Sequence, residues 1–376
     1  MNFEFSDEQK QLAGSARRFL EDKCPPSAVR AVLEGSQPYD QALWKGLAEM
    51  GFLGVVIPEQ YGGLGLSYLE LCVVAEELGR ALAPTPHGSS VFLATEFLLA
   101  AGSPAQKAAR LPKLASGEAI GTFALAETAG AVTPKAVQLV AADGRLNGSK
   151  IAVPDGDIAH FAIVAARIDA GSAARGVSLF LVDLDQPGVS RTPQETIDPS
   201  RSYAALTFCD AIAEHLGPLG GGWRFIQDVL DRAAVLTAFE QVGGADRALE
   251  MARDYALERM AFGRQIGSFQ AIKHMLADMY VAATLARSNA YYGAWALSTG
   301  AAEMPAAAAT ARVSATQAFQ RCAKNNIQVH GGVGFTWAFD CHLFYRRSNL
   351  LALGLGPLSE WEGKLIQRLR EQNAAA

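Results

Sequence analysis

The middle of the chain differs in sequence texture from both of its ends, and this change most constrains the fold. Residues 119–220 contain short apolar runs with the length and composition of β-strands, among them GTFALAE, HFAIVAAR and VSLFLVDL. Asp143-Gly144 and Asn147-Gly148 favour two-residue hairpin turns, because both residues of such a turn need a positive φ. The sequence therefore predicts an antiparallel β domain in this region.

The regions on either side predict helices. In the first, Ser6 is a candidate N-cap for an amphipathic helix, and PEQYGGLGL (58–66) marks a turn. After the glycine-rich linker GPLGGGW, helical periodicity covers 224–260, 268–298, 304–329, 338–350 and 359–373. The predicted fold class is α+β and multidomain, with a helical N-terminal domain (1–118), a middle antiparallel β domain (119–220) and a C-terminal helical bundle (221–376).

Charge and composition exclude several classes of partner. The chain has 376 residues, of which 50% are hydrophobic, so it can bury a large core. Its formal net charge is -5 and it has no run of basic residues, which excludes the electrostatic footprint of a nucleic-acid or anionic-membrane partner. The start, MNFEFSDEQKQL, lacks the features of a signal peptide, and no uncharged stretch is long enough to cross a bilayer. We expect a cytoplasmic protein.

Metal sites and the common dinucleotide fold are not indicated. The five cysteines form no CxxC pair, and the six histidines show no metal-ligand spacing, so no metal site is predicted. The order helix, β, helix is not the βαβ alternation of a Rossmann domain, and no GxGxxG follows a strand. A flavin or nucleotide would need a different binding element.

Several separated motifs carry a family resemblance. They are RDYALERMAFGRQIGSFQAIKHMLADMY (253–280), GGLGL near the N-terminus, the β middle region, and the late segment IQVHGGVGF (327–335). In their order along the chain, these motifs resemble those of the acyl-CoA dehydrogenases over essentially the whole sequence. The resemblance implies a flavoenzyme that uses FAD, desaturates a CoA thioester between its α and β carbons, and is usually a tetramer made of two dimers.

The resemblance also implies a set of FAD contacts that one subunit makes to its neighbour. In the family, the arginine of RxxFG and the Q-x-x-G-G segment reach across the dimer interface to the adenine and pyrophosphate end of the neighbour's FAD. We call the matching residues the cradle: Arg259, Phe262, Gln270, Gln328, Gly331 and Gly332.

Elementary chemistry agrees with these roles. Arg259 continues the helical stripe of Ala252 and Tyr255, which predicts a permanent charge on a packed side, where a diphosphate would neutralise it. Gly331 and Gly332 have no side chain that would hold a phosphate away from backbone N–H groups. The alternatives are an arginine facing a helix dipole and a glycine C-cap.

The family's catalytic base is missing from its usual place. In most members it is a glutamate near the C-terminus, followed by glycine and threonine. This chain places Leu355 at the glutamate and Pro357 at the threonine. A minority of members carry the base in the first bundle helix, where this chain has Ala233 or Ala234. None of these side chains can accept a proton.

Glu240 is the remaining candidate for the catalytic base. It continues an apolar helical stripe, so the periodicity predicts a buried carboxylate, and Gly243-Gly244 would open space one turn later. Burial would raise its pKa, which suits a general base. The alternative is a structural glutamate paired with Arg247 or with an arginine of a neighbouring helix.

Contacts that a subunit makes to its own flavin are also depleted. The family's Trp-x-Thr element, which packs on the isoalloxazine, corresponds to Ala152 and Pro154. Of the family motif Thr-Glu-Pro-Gly-Ala-Gly-Ser-Asp, only Glu127 and Gly130 are kept. The resemblance includes heteromeric enzymes in which two related chains share half the usual number of FAD sites. This chain matches the subunit that contributes contacts to its neighbour's FAD and has no complete FAD site of its own.

Three assemblies therefore stay open from the sequence. The first is a heterotetramer with a related chain, and the second is a homomeric dimer or tetramer that binds acyl-CoA and its own FAD. The third is a scaffold that binds neither, which the retained cradle residues argue against. The sequence does not specify the acyl group.

Overall fold

The structure, a computed structural model, describes residues 6–168 and 173–375. These residues form two compact units. One, the helical unit, contains the chain up to Val29, Tyr68–Ala83 and the chain from Ala234 onwards. The other, the sheet unit, contains Arg30–Ser67 and Pro84–Ala233.

The helices follow the predicted pattern, and the five C-terminal ones begin and end within a few residues of their predicted bounds. In chain order the α-helices are α1 (Asp7–Lys23), α2 (Pro26–Glu34), α3 (Gln41–Glu49), α4 (Tyr68–Arg80), α5 (His87–Ser89), α6 (Glu96–Ala101), α7 (Pro104–Ala115), α8 (Gly222–Glu258), α9 (Gln270–Thr299), α10 (Met304–His330), α11 (Cys341–Leu353) and α12 (Leu358–Ala375). The fold class predicted from the sequence is confirmed.

The start of α1 shows how local sequence sets a helix boundary. The Ser6 hydroxyl accepts a hydrogen bond from the Gln9 backbone N–H, and the Gln9 side chain accepts one from the Ser6 N–H. This capping box satisfies donors that a helix N-terminus leaves without an intrahelical partner. The predicted N-cap is therefore confirmed.

Helices α4 and α8 of the helical unit cross at very short range. A Cβ placed on Gly79 would lie 1.9 Å from the Glu240 carbonyl oxygen, and one on Gly243 would lie 1.9 Å from the Glu76 carbonyl oxygen. Next to it, a Cβ on Gly244 would meet the Phe319 ring at 2.5 Å. The expectation that Gly243-Gly244 opens space was wrong, because these glycines let neighbouring groups approach the helix and fill it.

The sheet unit contains one eight-stranded sheet with the order β6-β7-β3-β2-β4-β5-β8, and β1 lies beside β4. Its strands are β1 (Gly121–Ala124), β2 (Val140–Ala142), β3 (Arg145–Pro154), β4 (Phe161–Arg167), β5 (Val177–Asp183), β6 (Val189–Pro193), β7 (Tyr203–Ile212) and β8 (Glu214–Leu216). Most pairs are antiparallel, but β1 and β2 pair with β4 in parallel. The sheet is therefore mixed, and not purely antiparallel as the sequence predicted. The long connection that carries β2 and β3 lets the chain return parallel to β1.

The two hairpin signals have different outcomes. Asp143 and Gly144 have φ values of 51° and 71° and connect β2 to β3, as predicted. Asn147-Gly148 is not a turn and lies inside β3, where the register shifts between Leu146 and Gly148. The Asn147 side chain accepts a hydrogen bond from the Asp210 N–H. This second signal was misassigned because a β-bulge uses the same left-handed glycine as a turn does.

The described ranges contain neither a helix suited to span a membrane nor a cluster of metal-binding side chains. No helix among residues 6–168 and 173–375 is both long and apolar enough to cross a bilayer. Within the same ranges, no group of three or more His, Cys, Asp or Glu side chains is arranged to hold a metal ion.

Candidate functional site

The first half of the cradle lies where α8 ends. Arg259 directly follows this helix, and its backbone N–H donates to the Tyr255 carbonyl at 2.8 Å. Two short strands, β9 (Met260–Ala261) and β10 (Arg264–Gln265), then form a hairpin with Phe262 and Gly263 at its tip. Both tip residues have positive φ, and the Phe262 side chain is 95% exposed. A phenylalanine in this conformation and so exposed contributes little to the stability of a single chain.

Gln270 is held beside this hairpin. It is the first residue of α9, and it is exposed. Phe269, immediately before it, meets the Phe262 ring edge to face at 6.1 Å, and the Arg264 guanidinium lies 4.1 Å from the Phe269 ring centroid. The hairpin and the start of α9 therefore present Phe262 and Gln270 from one small region.

The second half of the cradle lies where α10 ends. Gln328 is exposed in its last turn, and the chain leaves the helix through Gly331, which has a φ of 64°. A Cβ added to Gly331 or Gly332 would meet nothing within 4 Å. A side chain at these two positions would therefore meet nothing in the described chain, although the Gly331 N–H already donates to the Gln328 carbonyl.

A stack of three rings brings the two halves together. The Tyr255 and His330 rings are stacked, with centroids 4.1 Å apart and planes 22° apart. Phe339 meets both edge to face, with centroids 6.3 Å from Tyr255 and 5.9 Å from His330. We call these three residues the aromatic stack. It fixes the end of α8, with Arg259, next to the end of α10, with Gly331.

One expectation about Arg259 was wrong for the single chain. The apolar stripe of α8 is buried at Ala248 and Ala252 and half-buried at Tyr255, but Arg259 is exposed. The helix ends at Glu258, so its periodicity no longer sets the direction of the next side chain. An exposed guanidinium near two open glycines can bind an anion such as a diphosphate.

The positions of the family's base lie in an apolar cluster. Trp361, Ala234 and Ala309 are fully buried, and Val313, Leu355 and Leu365 pack against them. We call these six residues the Trp361 cluster. The Trp361 indole N–H donates to the Leu355 carbonyl at 3.0 Å, which fixes the segment that leaves α11. Leu355 stands at the usual base position, and Ala234 is one of the two residues, Ala233 or Ala234, at the alternative one. All three are buried or partly buried, so these side chains serve packing.

Glu240 is buried, as the periodicity predicted, but it has a partner. Its side chain is 2% exposed, and its carboxylate lies 3.6 Å from the guanidinium of Arg347 in α11. Arg347 also donates to the Leu82 carbonyl at 3.3 Å. Arg247 instead pairs with Glu250 at 3.2 Å. This geometry matches a structural glutamate paired with an arginine of another helix, the alternative left open by the sequence.

The segment that replaces the Trp-x-Thr element has an unusual backbone. Ala152 has a φ of 50° and Asp155 a φ of 53°, on either side of Val153 and Pro154. The Ala152 N–H donates to the Gln194 side chain at 2.8 Å, and the Thr122 hydroxyl donates to the Pro154 carbonyl at 2.5 Å. With no ring at 152 and no hydroxyl at 154, the segment has neither of the family's side-chain contacts to a flavin.

Glu127, the retained residue of the family's glycine-rich motif, is used within the sheet unit. Its carboxylate lies 2.7 Å from the Lys150 ammonium and accepts from the Gln138 and Leu139 N–H groups at 3.0 Å. Lys150 is fully buried, and burial lowers its pKa to about 8 although Glu127 opposes the shift. Glu127 therefore holds the segment that contains Gln138 and Leu139 next to Lys150 of β3.

A buried polar network next to Pro154 was not found from the sequence. The Asp155 carboxylate accepts hydrogen bonds from Ser89 at 2.5 Å and from Ser202 at 3.3 Å. Desolvation raises the Asp155 pKa to about 6, and the charge of Arg201 opposes this shift. Arg201 in turn contacts His87 Nε2 at 2.8 Å. These residues are distant in sequence and show no motif, so periodicity gave no signal.

A second carboxylate was also missed. Glu360, in the first turn of α12, lies across Gly356: a Cβ on that glycine would be 3.2 Å from its Oε2. Its Oε1 is 3.0 Å from the Lys364 ammonium. It lies one turn beyond Leu355 and follows no motif of the resemblance, so the sequence did not single it out.

Family models match nearly all of this chain. The model described as acyl-CoA dehydrogenase, N-terminal domain, matches residues 6–118, the middle-domain model matches 122–210, and the C-terminal-domain model matches 220–368.

Individual relatives cover the chain from end to end. It is 34% identical to acyl-CoA dehydrogenase IpdE2 of Mycobacterium tuberculosis over 367 residues, 97% of each chain. The solved Tcur3481-Tcur3483 steroid ACAD matches with a TM-score of 0.87 and 31% identity, covering 98% of this chain and 99% of that one. The ChsE4-ChsE5 complex from Mycobacterium tuberculosis matches with a TM-score of 0.89 and 29% identity, covering 99% of both.

Proposed function

The chain belongs to the acyl-CoA dehydrogenase family, and from this premise we propose that it is one subunit of a heteromeric enzyme that desaturates a CoA thioester. Its part in that enzyme is to complete the FAD site of a related chain. The observation that carries the proposal is a contrast within this molecule. The base positions are packed with apolar side chains, whereas the residues that serve a neighbour are exposed and open.

The cradle fits the adenine and diphosphate end of FAD. Arg259 supplies a permanent positive charge, and Gly331 and Gly332 leave space where a side chain would be, so a phosphate can approach their backbone. Gln270 and Gln328 are exposed amides that can donate to or accept from the ribose and adenine. In the assembly these residues would hold the FAD of a neighbouring chain.

The chain's own flavin face does not fit in the same way. Ala152 and Pro154 offer no ring and no hydroxyl, and the carboxylate of Glu127 is engaged by Lys150 and two backbone N–H groups.

The reaction divides its tasks between two chains under this proposal. A bound FAD would supply the acceptor for the hydride that leaves the β carbon of the thioester. The proton of the α carbon needs a carboxylate, which the partner provides, since Leu355 and Ala234 cannot accept a proton. This chain contributes charge neutralisation at the diphosphate by Arg259. Its Trp361 cluster keeps the segment that replaces the base in one packed arrangement.

Two relatives support an assembly of unlike chains. The Tcur3481-Tcur3483 enzyme and the ChsE4-ChsE5 complex each join two differently named chains, and this chain matches both over nearly its full length. The first is described as a steroid ACAD, so steroid-derived CoA thioesters are the first substrate class to assay. The three-domain division at 118 and 220, the cytoplasmic location and the individual cradle contacts stay predictions.

The test is flavin content per chain. The chain is purified alone, and again after co-expression with a related chain that has the C-terminal glutamate and the Trp-x-Thr element. We expect the solitary chain to fold, to carry little FAD and to show negligible thioester dehydrogenation. The mixed assembly should contain about one FAD per unlike pair, since one complete site forms in each.

The opposite result is equally clear. A solitary homo-oligomer that is yellow, holds about one FAD per subunit and turns over an acyl-CoA would refute the heteromeric proposal and support the homomeric alternative. A mixed assembly that forms without FAD would leave a scaffold as the better description.

A further inference from the structure

The aromatic stack connects two cradle segments that are far apart in sequence. Tyr255 lies four residues before Arg259 and accepts the hydrogen bond of the Arg259 N–H at 2.8 Å. His330 directly precedes Gly331 and Gly332. This hydrogen bond joins backbone groups, so the stacked rings belong to residues that lie one helical turn before Arg259 and directly before Gly331.

His330 is fixed in position and in tautomer. Its Nδ1 lies 2.8 Å from the Asn326 carbonyl oxygen, and since a carbonyl only accepts, Nδ1 carries the hydrogen. The ring is 8% exposed, and burial lowers its pKa although the bond to Asn326 opposes the shift. At neutral pH the ring is uncharged, so Arg259 remains the cation of this part of the cradle.

Phe339 completes the arrangement from a third segment. It follows the 3-10 turn Gly331–Phe335 and lies edge-on to both other rings. The end of α8, the end of α10 and the approach to α11 are thus joined by ring contacts. Edge-to-face and offset-stacked ring pairs stabilise a fold by more free energy than the burial of their apolar area alone would give.

We propose that the aromatic stack positions the cradle, so that Tyr255, His330 and Phe339 set how tightly a neighbour's FAD is held without touching it. This inference rests on the proposed function, because it assumes that the cradle serves an FAD. A preformed site binds more tightly since less conformational freedom is lost on binding. Without the stack, Arg259 and the Gly331–Gly332 backbone would each have to be ordered by the ligand.

The experiment compares substitutions in the stack that remove a ring with substitutions that keep one. Tyr255→Ala and His330→Ala remove the ring contact, whereas Tyr255→Phe and His330→Phe keep a flat ring. Tyr280→Ala is the matched control, since this tyrosine is 62% exposed on α9 of the same unit. The flavin-free mixed assembly of each variant is titrated with FAD, with flavin fluorescence as the readout, and its melting temperature is measured in parallel.

We expect about tenfold weaker FAD binding for the two alanine variants, near-normal binding for the two phenylalanine variants, and no change for Tyr280→Ala. Hydrogen exchange of the peptide covering 326–340, measured in the solitary chain, should be faster in Tyr255→Ala. This second readout needs neither FAD nor activity.

Two patterns overturn the inference, and one points elsewhere. Unchanged FAD affinity in Tyr255→Ala, with faster exchange of 326–340, would show that order in this segment does not set binding. Equal losses in the alanine and phenylalanine variants would show that ring stacking is not the cause. If Arg259→Ala also leaves FAD affinity unchanged, the failure lies with the cradle itself and therefore with the proposed function.

Discussion

The Trp361 cluster and the cradle lie in the same helical unit and differ in what their side chains do for the single chain. In the cluster, Leu355, at the family's usual base position, and Ala234, one of the two candidates for the alternative position, pack on a fully buried tryptophan. In the cradle, Arg259 and Phe262 are exposed, and Gly331 and Gly332 contact nothing where a side chain would be. The cluster stabilises this fold, whereas the cradle adds almost nothing to it.

The difference indicates which region acts on something outside the chain. A phenylalanine that is 95% exposed at a positive φ costs free energy and gains no burial in return. Such a residue is explained by a partner that covers it. At the base positions, by contrast, apolar residues replace the family's base and keep the packing intact, so the fold tolerates the change.

The largest effect should come from opening the Trp361 cluster. Trp361→Ala removes a fully buried indole, so the free energy of unfolding should fall by about 3–5 kcal/mol through lost burial and the cavity left behind. Thermal denaturation of the solitary chain measures this. Tyr280→Ala, on an exposed helix face, should change stability by no more than about 0.5 kcal/mol. Equal stability of the two variants would mean that the cluster is not structural.

The next effect tests the cradle through binding. Arg259→Ala should weaken FAD retention by the mixed assembly by about 2–5 kcal/mol, because a phosphate charge at the interface loses its partner. Stability of the solitary chain should not change, since Arg259 is exposed. Arg253→Ala is the control, because Arg253 is an exposed arginine in α8 that pairs with its neighbour Asp254. FAD per chain after dialysis decides; retention equal to the control variant contradicts the prediction.

The stability of the sheet unit should depend on pH through Asp155, the buried carboxylate that follows Pro154. The Asp155 pKa is raised from 3.8 to about 6, first by desolvation, with Arg201 opposing. The folded chain thus holds this proton more tightly than the unfolded chain. Its contribution to the free energy of unfolding is fully present below pH 3.8 and falls by about 3 kcal/mol as the pH rises to about 6, then stays constant.

Asp155→Asn removes this titration. The stability difference between wild type and variant, measured by denaturation at several pH values, should therefore shift against the wild type between pH 4 and pH 6. A difference that does not vary with pH would mean that the Asp155 carboxyl keeps its ordinary pKa in the fold.

Glu240 should act through stability and not through turnover. Glu240→Gln keeps the size of the side chain but leaves the buried Arg347 guanidinium without its counter-charge, which should cost about 1–3 kcal/mol. Turnover of the mixed assembly should be largely kept. Kinetics and a melting curve on the same variant separate the two roles, and a collapse of turnover with an unchanged melting temperature would make Glu240 the base.

The fold was largely predictable because its signals are local and repeated. Long stretches with a 3.6-residue period specify α8 to α12, and the short β-type runs specify the strands. The parallel pairing of β1 with β4 and the bulge at Gly148 were not predictable, because each depends on a strand distant in sequence. Asn-Gly inside β3 shows the same limit, since a turn and a bulge need the same backbone conformation at glycine.

The candidate site was predictable only where motifs exist. The cradle residues could be named from RxxFG and Q-x-x-G-G, and the missing base from Leu355. The aromatic stack, the Asp155 network and the partner of Glu240 could not, because each joins chain segments that are distant in sequence and follow no joint pattern. The exposure of Arg259 also depended on where α8 ends, which periodicity alone does not fix.

The smallest effect is expected at Glu360, and it tests whether this chain has a base at all. Its carboxylate lies across Gly356, next to Leu355, so it is the acidic group nearest along the chain to the family's base position. It is also paired with Lys364 at 3.0 Å, and such i,i+4 pairs contribute only about 0.3–0.5 kcal/mol.

Glu360→Gln should therefore change stability by less than about 0.5 kcal/mol. It should leave the turnover of the mixed assembly unchanged, because in the proposed heteromer the partner supplies the base. Substituting the partner's C-terminal glutamate in the same way should abolish turnover. If Glu360→Gln instead abolishes turnover, with FAD content and melting temperature unchanged, this chain removes the proton. The base region would then be catalytic, and its contrast with the open cradle would no longer hold.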